Sequence, residues 1–335
     1  MSQTDQNITL PTNLYLETTN RCNLRCRGCI LYGGKREPER DITLQDFFLI
    51  TDQLEDLERT TLHGVGEPLL NVQLPAMIRH LKSRNVYTLF NSNGILLDHE
   101  RQQELIDSGL DELRISLDAA SAAGYKKIRN SNEFDRIVGN LRSFRKLQEA
   151  RSLTGPKLSL WFLGTKDNIS ELPEFVKLAA DIGIGEVYLQ RLVYYQDGEG
   201  YGVAKKDMSL LDTDDKSPEL IQKSQGLAED LGLRFNASGL GQPIESIQSD
   251  SAKKMPWSRC YRPQTLIYVT ANGNVLPCCI APFATVDYTS IILGNVYESS
   301  LSDIWLGTNY KNFRHQLQTA DPPKCCQGCG VLWSL

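Results

Sequence analysis

Short apolar and β-branched runs alternate, over the first 193 residues, with longer stretches whose apolar positions recur every three to four residues. The short runs predict strands at 14–18, 60–63, 86–91, 112–117, 158–163 and 186–192. The longer stretches predict helices at about 43–56, 73–84, 99–108, 134–150 and 171–183. Strands that alternate with helices in this way are typical of an α/β fold with a parallel sheet.

The number of these units predicts the architecture. Six β/α units do not close an eight-unit barrel, so the expected core is an open, partial (β/α)6 TIM barrel with its active site at the C-terminal ends of the strands. After residue 193 the chain becomes richer in Gly, Asp, Ser and Lys, with one helical pattern near 217–232. The predicted organisation is an N-terminal arm at 1–12, the barrel at 13–193, a bridging region at 194–258 and a small C-terminal domain at 259–335.

Composition excludes several classes of function. The 335 residues are 41% hydrophobic and 23% charged, with a net charge of −5, so no overall basic face favours nucleic acid or anionic lipid. The chain has no signal-peptide pattern and no apolar run long enough to cross a membrane. The nine cysteines are an odd number, which argues against a secreted disulfide scaffold and predicts cytoplasmic metal ligands.

Three of the cysteines, Cys22, Cys26 and Cys29, form a C-x3-C-x2-C motif directly after the first predicted strand. A [4Fe–4S] cluster is normally held by four thiolates, so three leave one iron with an open position. An open position separates a catalytic metal site from a closed structural one. The spacing therefore predicts a cluster that binds another molecule.

This motif and its place after a short strand resemble the radical S-adenosylmethionine (SAM) superfamily. The resemblance implies that SAM binds the open iron and that its reductive cleavage yields methionine and a 5′-deoxyadenosyl radical, which abstracts hydrogen from substrate. Gly28 stands where many members have an aromatic residue, which leaves the adenine contact open. The alternatives are a zinc site or three unrelated thiols.

Motifs at the ends of later strands resemble the SAM-binding motifs of the same family. Gly66-Glu67-Pro68 corresponds to the end of the family's Gly-Gly-Glu-Pro motif, and glycine permits close backbone approach there. Hydroxyl, carboxylate and guanidinium groups beyond strands three to six suit the ribose, amine and carboxylate of SAM. The resemblance implies that the SAM-binding residues are Gly66, Glu67, Pro68, Asn93, Ser116, Asp118, Arg129 and Gln190.

The remaining cysteines lie in the C-terminal 76 residues, around a predicted hairpin with strands at 265–270 and 274–280. Their spacing resembles the SPASM/twitch extension of radical SAM enzymes, in its shortened form. The resemblance implies an auxiliary [4Fe–4S] cluster, the second in the chain, on Cys260, Cys278, Cys326 and Cys329. Cys279 or Cys325 could replace its neighbour, and a structural zinc site is the alternative. Cys279 is also the candidate catalytic thiol that returns a hydrogen atom to a substrate radical.

The expected substrate is a small polar metabolite, because members with a shortened extension act on carbohydrate-like or nucleotide molecules. Oxidation, epimerisation or decarboxylation would follow hydrogen abstraction. The alternative is a radical SAM maturase acting on a peptide or protein. Only 21 residues precede Cys22, which leaves no room for a leader-binding domain and weighs against that alternative. A non-catalytic iron–sulfur or zinc-binding protein is the third hypothesis.

A basic run surrounds the first cysteine motif, formed by Arg21, Arg25, Arg27, Lys35, Arg36 and Arg40. Three interpretations stay open: a solvated loop, an anchor for an anionic substrate group, or a docking patch for an acidic electron donor such as flavodoxin or ferredoxin.

Overall fold

A computed structural model describes residues 9–33, 37–193, 204–211, 216–239, 241–248 and 255–327. Within these ranges the strands are β1 (Asn13–Leu16), β2 (Arg59–Thr61), β3 (Tyr87–Ser92), β4 (Glu112–Ser116), β5 (Lys157–Gly164), β6 (Glu186–Arg191), β7 (Arg234–Ala237), β8 (Leu266–Val269), β9 (Asn274–Leu276) and β10 (Gly294–Asn295). They form one sheet in the order β10-β9-β8-β1-β2-β3-β4-β5-β6-β7.

All six predicted strands are confirmed, each within one or two residues at its ends. β1 to β6 are parallel, and each pairs with the next strand in the chain. Consecutive parallel strands of this kind form a partial barrel, so the predicted fold class is confirmed. The sheet also continues at both ends in ways that the sequence did not predict.

The helices within the described ranges are α1 (Leu44–Thr51), α2 (Leu74–Ser83), α3 (His99–Asp107), α4 (Ala122–Arg129), α5 (Phe134–Ala150), α6 (Leu172–Ile182), α7 (Ser217–Asp230), α8 (Arg262–Thr265), α9 (Ala281–Ala284), α10 (Leu301–Trp305), α11 (Thr308–Gln316) and α12 (Lys324–Gln327). The six predicted helices are confirmed as α1, α2, α3, α5, α6 and α7. A helix at α4 was not predicted, since Tyr125 is its one buried residue. In the described part of the chain, none of the helices is long and apolar enough to cross a membrane.

The two faces of the barrel strands differ sharply in polarity. Residues at alternate positions, such as Leu160 and Phe162 of β5 and Val187 of β6, are fully buried under the surrounding helices. Phe162, for example, meets Phe175 of α6 edge to face at 5.0 Å between ring centroids. The intervening residues point into the barrel and are mostly polar or aromatic, so the lumen is a cavity rather than a packed core.

The bridging and C-terminal regions add strands to the barrel sheet. β7, from the bridging region, pairs in parallel with β6, and β8 pairs in parallel with β1. The predicted hairpin is confirmed as the antiparallel pair β8 and β9. The predicted boundaries after residues 12, 193 and 258 stay predictions, but strands from both sides of the last two belong to one hydrogen-bonded sheet. The C-terminal hairpin is thereby placed beside the cysteine loop that follows β1.

Candidate active site

The first cysteine loop, residues 22–29, is held in place by hydrogen bonds from several strand ends. Asn93, beyond β3, donates its side-chain amide to the side-chain oxygen of Asn23 (2.8 Å). The Glu67 amide donates to the carbonyl of Arg21 (2.8 Å), and the Arg27 amide donates to the carbonyl of Ile128 (3.4 Å). Residues 22–29 therefore have a defined course although they contain no helix or strand.

Each sulfur of this loop accepts an N–H donor. The backbone N–H groups of Leu24 and Leu31 donate to the sulfurs of Cys22 and Cys29, and Arg129 Nη1 lies 3.6 Å from Cys26 Sγ. Burial raises the pKa of Cys22 to about 12 and also raises that of Cys29. Metal binding requires thiolates, and N–H donors stabilise sulfur that carries negative charge. The donor set therefore fits an iron–sulfur cluster.

The three thiols do not converge as ligands of one ion would. Among the residues that the structure describes, no three His, Cys, Asp or Glu side chains lie close enough together to hold a single metal ion. A four-iron cluster is larger than one ion, and its thiolates stand correspondingly farther apart.

A buried ion pair supports the loop from β4 and α4. Arg129 Nη2 lies 2.5 Å from Asp118 Oδ2, and the Leu163 amide donates to Asp118 Oδ1 (2.8 Å). Asp118 adopts a positive φ of 62°, which turns the chain beyond β4 and directs its carboxylate towards Arg129. Burial raises the pKa of Asp118, and the charge of Arg129 opposes that rise. The pair fixes a guanidinium beside Cys26, and Arg129 Nε has no hydrogen-bond partner within the described residues.

The Gly66-Glu67-Pro68 motif and Asn93 join neighbouring strand ends. Both oxygens of the buried Glu67 carboxylate are used: Ser92 Oγ donates to one (2.8 Å) and the Asn93 amide donates to the other (2.7 Å). A Cβ on Gly66 would lie 2.0 Å from the carbonyl oxygen of Thr19, so only glycine fits there. These residues frame the first cysteine loop from the side of β2 and β3.

A cavity of about 1080 Å³ lies inside the barrel and reaches the first cysteine loop. Its wall contains four of the eight predicted SAM-binding residues together with two loop cysteines and the predicted catalytic thiol: Ser116, Asp118, Arg129, Gln190, Cys26, Cys29 and Cys279. The other four predicted SAM-binding residues, Gly66, Glu67, Pro68 and Asn93, are absent from that wall. The structure thus brings together half of the predicted set around the cavity and places the other half in the frame around the loop.

The C-terminal cysteines that the structure describes lie beyond the short helix over Pro256–Arg259, beyond β9, and on α12, which packs against α9. Burial raises the pKa of Cys260, and the proximity of Cys279 and Cys325 adds to the rise. Cys325 and Cys326 have their sulfurs 3.7 Å apart. Cys329 lies outside the described residues. The choice between adjacent cysteines as ligands stays open.

Two carboxylates that the sequence reasoning missed connect the two cysteine regions. Glu37 Oε1 accepts from Asn274 Nδ2 and from Tyr288 OH, both at 2.7 Å. Glu17 accepts from the amides of Val65 (2.7 Å) and Ala271 (3.1 Å), and burial raises its pKa to about 7. Both reach the turn between β8 and β9. No sequence pattern identifies them, because their partners lie more than 230 residues away for Glu37 and up to 254 away for Glu17.

Comparisons with known proteins agree with this geometry. The family model of the radical SAM superfamily matches residues 16–179, and that of the SPASM iron–sulfur cluster-binding domain matches residues 260–330. The chain is 25% identical over 336 residues to the PqqA peptide cyclase of Granulibacter bethesdensis, covering 96% of this chain and 81% of that protein. It is 26% identical over 339 residues to the mycofactocin maturase MftC of Mycolicibacterium smegmatis, covering 98% and 78%.

The fold is also similar to a solved structure. SuiB of Streptococcus suis bound to S-adenosylmethionine has a TM-score of 0.71 and 18% identity, over 97% of this chain and 79% of that one.

The relatives contradict the expected substrate class. A small polar metabolite was predicted, but the relatives that match nearly the whole chain include a peptide cyclase and a maturase. That prediction was wrong because it rested on the shortness of the C-terminal extension, which does not determine what the cavity accepts.

Proposed function

Since the chain belongs to the radical SAM superfamily and carries a C-terminal SPASM domain, we propose that it is an enzyme that modifies a peptide. The observation that carries this proposal is the similarity of nearly the whole chain to two enzymes, one named PqqA peptide cyclase and the other mycofactocin maturase. The cavity supports it, because 1080 Å³ is enough for SAM together with one or two side chains of a peptide.

The cofactors are S-adenosylmethionine and [4Fe–4S] clusters. When bound, they supply a 5′-deoxyadenosyl radical that abstracts hydrogen from the substrate. We assign the first cluster to Cys22, Cys26 and Cys29, and the auxiliary cluster to Cys260, Cys278, Cys326 and Cys329.

The surrounding residues position SAM beside the first cysteine loop. Arg129, fixed by Asp118, is the cation next to Cys26 and is the residue we assign to the carboxylate of SAM. Ser116 and Gln190 contribute a hydroxyl and an amide to the cavity wall and suit the ribose hydroxyls. The Glu67 and Asn93 hydrogen bonds hold the loop against β2 and β3, so that the site is formed before SAM binds.

An acidic electron-transfer protein such as flavodoxin or ferredoxin is the proposed partner at the outer side of this loop. Arg21 and Arg25 supply positive charge there, although Arg21 is partly neutralised by its ion pair with Asp41. Lys35 and Arg36, which belong to the same basic run, lie outside the described residues.

Cys279 is the proposed hydrogen donor. Its sulfur belongs to the cavity wall and lies 3.6 Å from Arg262 Nη1. Donation would break the S–H bond and form a C–H bond on the substrate radical, and the resulting thiyl radical would need an electron and a proton from the electron donor and solvent. Turnover in deuterated water tests this role: one deuterium in the product, lost in Cys279→Ala, is expected. Product without solvent deuterium contradicts it.

The peptide proposal can be tested with extracts of the source organism. The anaerobically reconstituted enzyme is supplied with SAM, dithionite and the peptide fraction of the extract, and 5′-deoxyadenosine is measured. We expect the peptide fraction to raise its formation above the substrate-free rate, and prior digestion of that fraction to free amino acids to remove the effect. Stimulation that survives digestion contradicts the proposal.

A further inference from the structure

Six inward-facing side chains form a ring around the lumen, and the mechanism above does not use them. They come from six consecutive barrel strands or the residues just beyond them: Tyr15, His63, Asn91, Arg114, Trp161 and Tyr188. All six are partly exposed and line the cavity, which also reaches Cys26, Cys29 and Cys279. Arg114 lies two residues before Ser116 on β4, so the ring sits one layer deeper in the barrel than the proposed SAM contacts.

Arg114 is held rigidly within this ring. Its Nε donates to Glu112 Oε1 (2.8 Å), and its guanidinium lies 4.7 Å from the centre of the Trp161 ring. Trp161 in turn stacks on Tyr188, with 4.1 Å between ring centroids and 16° between the planes. The two terminal nitrogens of Arg114 make no hydrogen bond within the described residues. These two nitrogens are held in the geometry in which a guanidinium binds both oxygens of a carboxylate.

The lumen carries a surplus of positive charge. Among the described lining residues there are eight Arg or Lys side chains and four Asp or Glu side chains. Glu112 is shared by Arg114 and Arg59, and Glu186 is shared by Lys157 and Arg234. The described lining therefore has more cationic than acidic side chains, and an anionic group that enters is favoured.

Two neighbours of Arg114 also present unsatisfied polar atoms. His63 Nδ1 and Asn91 Oδ1 are buried and have no hydrogen-bond partner among the described residues. Asn91 lies opposite Arg114 in the register of β3 and β4. Burial and the charge of Arg114 lower the pKa of His63 to about 3, so its imidazole is neutral and can donate one N–H. Buried polar groups without partners are costly unless a ligand satisfies them.

We propose that the lumen ring binds a carboxylate of the peptide substrate, paired with Arg114 and assisted by an N–H of His63, while Asn91 Oδ1 accepts a neighbouring peptide N–H. This inference rests on the proposed function and specifies its substrate class. The carboxylate can come from an Asp or Glu side chain or from the C-terminus of the peptide. Binding there would place the adjoining carbon atoms of the peptide between the ring and the first cysteine loop.

Retention of synthetic peptides by the reconstituted, SAM-loaded enzyme tests this proposal. One pool of short peptides carries random central residues and amidated C-termini, and a second pool has the same sequences as free acids. Retained peptides are identified by mass spectrometry. If the ring binds a side-chain carboxylate, we expect Asp and Glu to be enriched about tenfold over Asn and Gln among the peptides retained from the amidated pool. If it binds the C-terminal carboxylate, we expect the free acids to be enriched to a similar degree over the amides.

Arg114→Gln should remove this enrichment, Arg114→Lys should retain part of it, and Arg142→Gln on the outer surface should leave it unchanged. Iron content and SAM binding show whether each variant is folded. If Arg114→Gln does not fold, competition by glutarate, with glutaramide as the control, tests the unaltered protein instead: displacement by both compounds or by neither contradicts the proposal.

The outcomes separate this inference from the function on which it rests. If peptides are retained without a preference for carboxylates, or with a preference that Arg114→Gln leaves intact, the carboxylate site at Arg114 is contradicted. The proposed function is unaffected by that result. Retention of no peptide from either pool by the unaltered enzyme contradicts the proposed function and, with it, the inference.

Discussion

The two cysteine sites of this chain are assembled in opposite ways. The first takes its cysteines from residues 22–29, eight consecutive positions in one loop after β1. The second is assigned to cysteines spread from Cys260 to Cys329, and a strand pair and several helices lie between the first and the last of them. The first site is nevertheless held in position by contacts that are distant in sequence. Glu17 and Glu37 connect its surroundings to the turn of the C-terminal hairpin. Local spacing can define a ligand set, but distant contacts hold it in position.

Removing each cysteine set separately should give the largest difference between the two sites. Changing Cys22, Cys26 and Cys29 together to Ala should lower the iron content from about eight to about four per chain and abolish SAM cleavage. Changing Cys260 and Cys278 to Ala should also leave about four irons but should preserve SAM cleavage without peptide.

Iron analysis and 5′-deoxyadenosine assays under anaerobic conditions measure both effects. Residual SAM cleavage in the first variant would contradict the assignment of the loop. About four irons together with tight zinc in the unaltered chain would contradict the auxiliary cluster.

The second prediction concerns the ion pair that supports the first site. Arg129→Gln should leave Asp118 as an unpaired buried charge, which costs about 3–5 kcal/mol and should lower both melting temperature and iron retention. Adding Asp118→Asn to this variant should recover part of the loss, since it removes that charge. The matched control is Arg142→Gln, which breaks an exposed pair with Asp181 and should cost less than about 1 kcal/mol. Equal losses in the two single variants would show that the buried pair has no special role.

The sequence predicted elements that carry their own apolar pattern and missed those that depend on partners. β1 to β6 and their helices have such patterns, whereas β7 (Arg234–Ala237) has no fully buried residue and becomes a strand only by pairing with β6. The pairing of β8 with β1 joins residues more than 250 positions apart, beyond the reach of any local signal.

The sequence of β4 carries a further signal, an alternation of polar residues. Strands of a parallel sheet that are buried on both faces are almost continuously apolar, yet β4 carries Glu112, Arg114 and Ser116 at alternate positions. Polar residues with this period indicate a lumen that contains solvent or ligand. The ring around Arg114 could therefore have been anticipated as a binding surface. The identity of its ligand could not, because that depends on which side chains of six strands meet.

The connection between the two sites can be broken at Glu37. Glu37→Gln should weaken the contacts with Asn274 and Tyr288 by about 2 kcal/mol, because the charge-assisted hydrogen bonds become neutral. The expected result is a lower melting temperature and faster amide hydrogen exchange at the turn between β8 and β9. Glu174→Gln, at an exposed pair with Lys177, is the control and should change neither measurement. Unchanged exchange at the turn in Glu37→Gln would show that Glu37 does not connect the sites.

The smallest expected effect is a pH dependence that arises at Glu17. Burial raises the pKa of this carboxyl from 4.5 to about 7 in the folded protein, so the folded state binds a proton that the unfolded state has already released. The resulting stability is fully present below about pH 4.5 and is lost as the pH rises through about 7. Between pH 6 and pH 8 the loss should be about 1 kcal/mol. Glu17→Gln resembles the protonated side chain and cannot titrate, so the melting temperature of this variant should fall less over the same interval. If the melting temperatures of the two proteins fall in parallel as the pH rises, the titrating group is not Glu17. Glu17 would then be a hydrogen-bond acceptor whose charge does not affect the junction between the two sites.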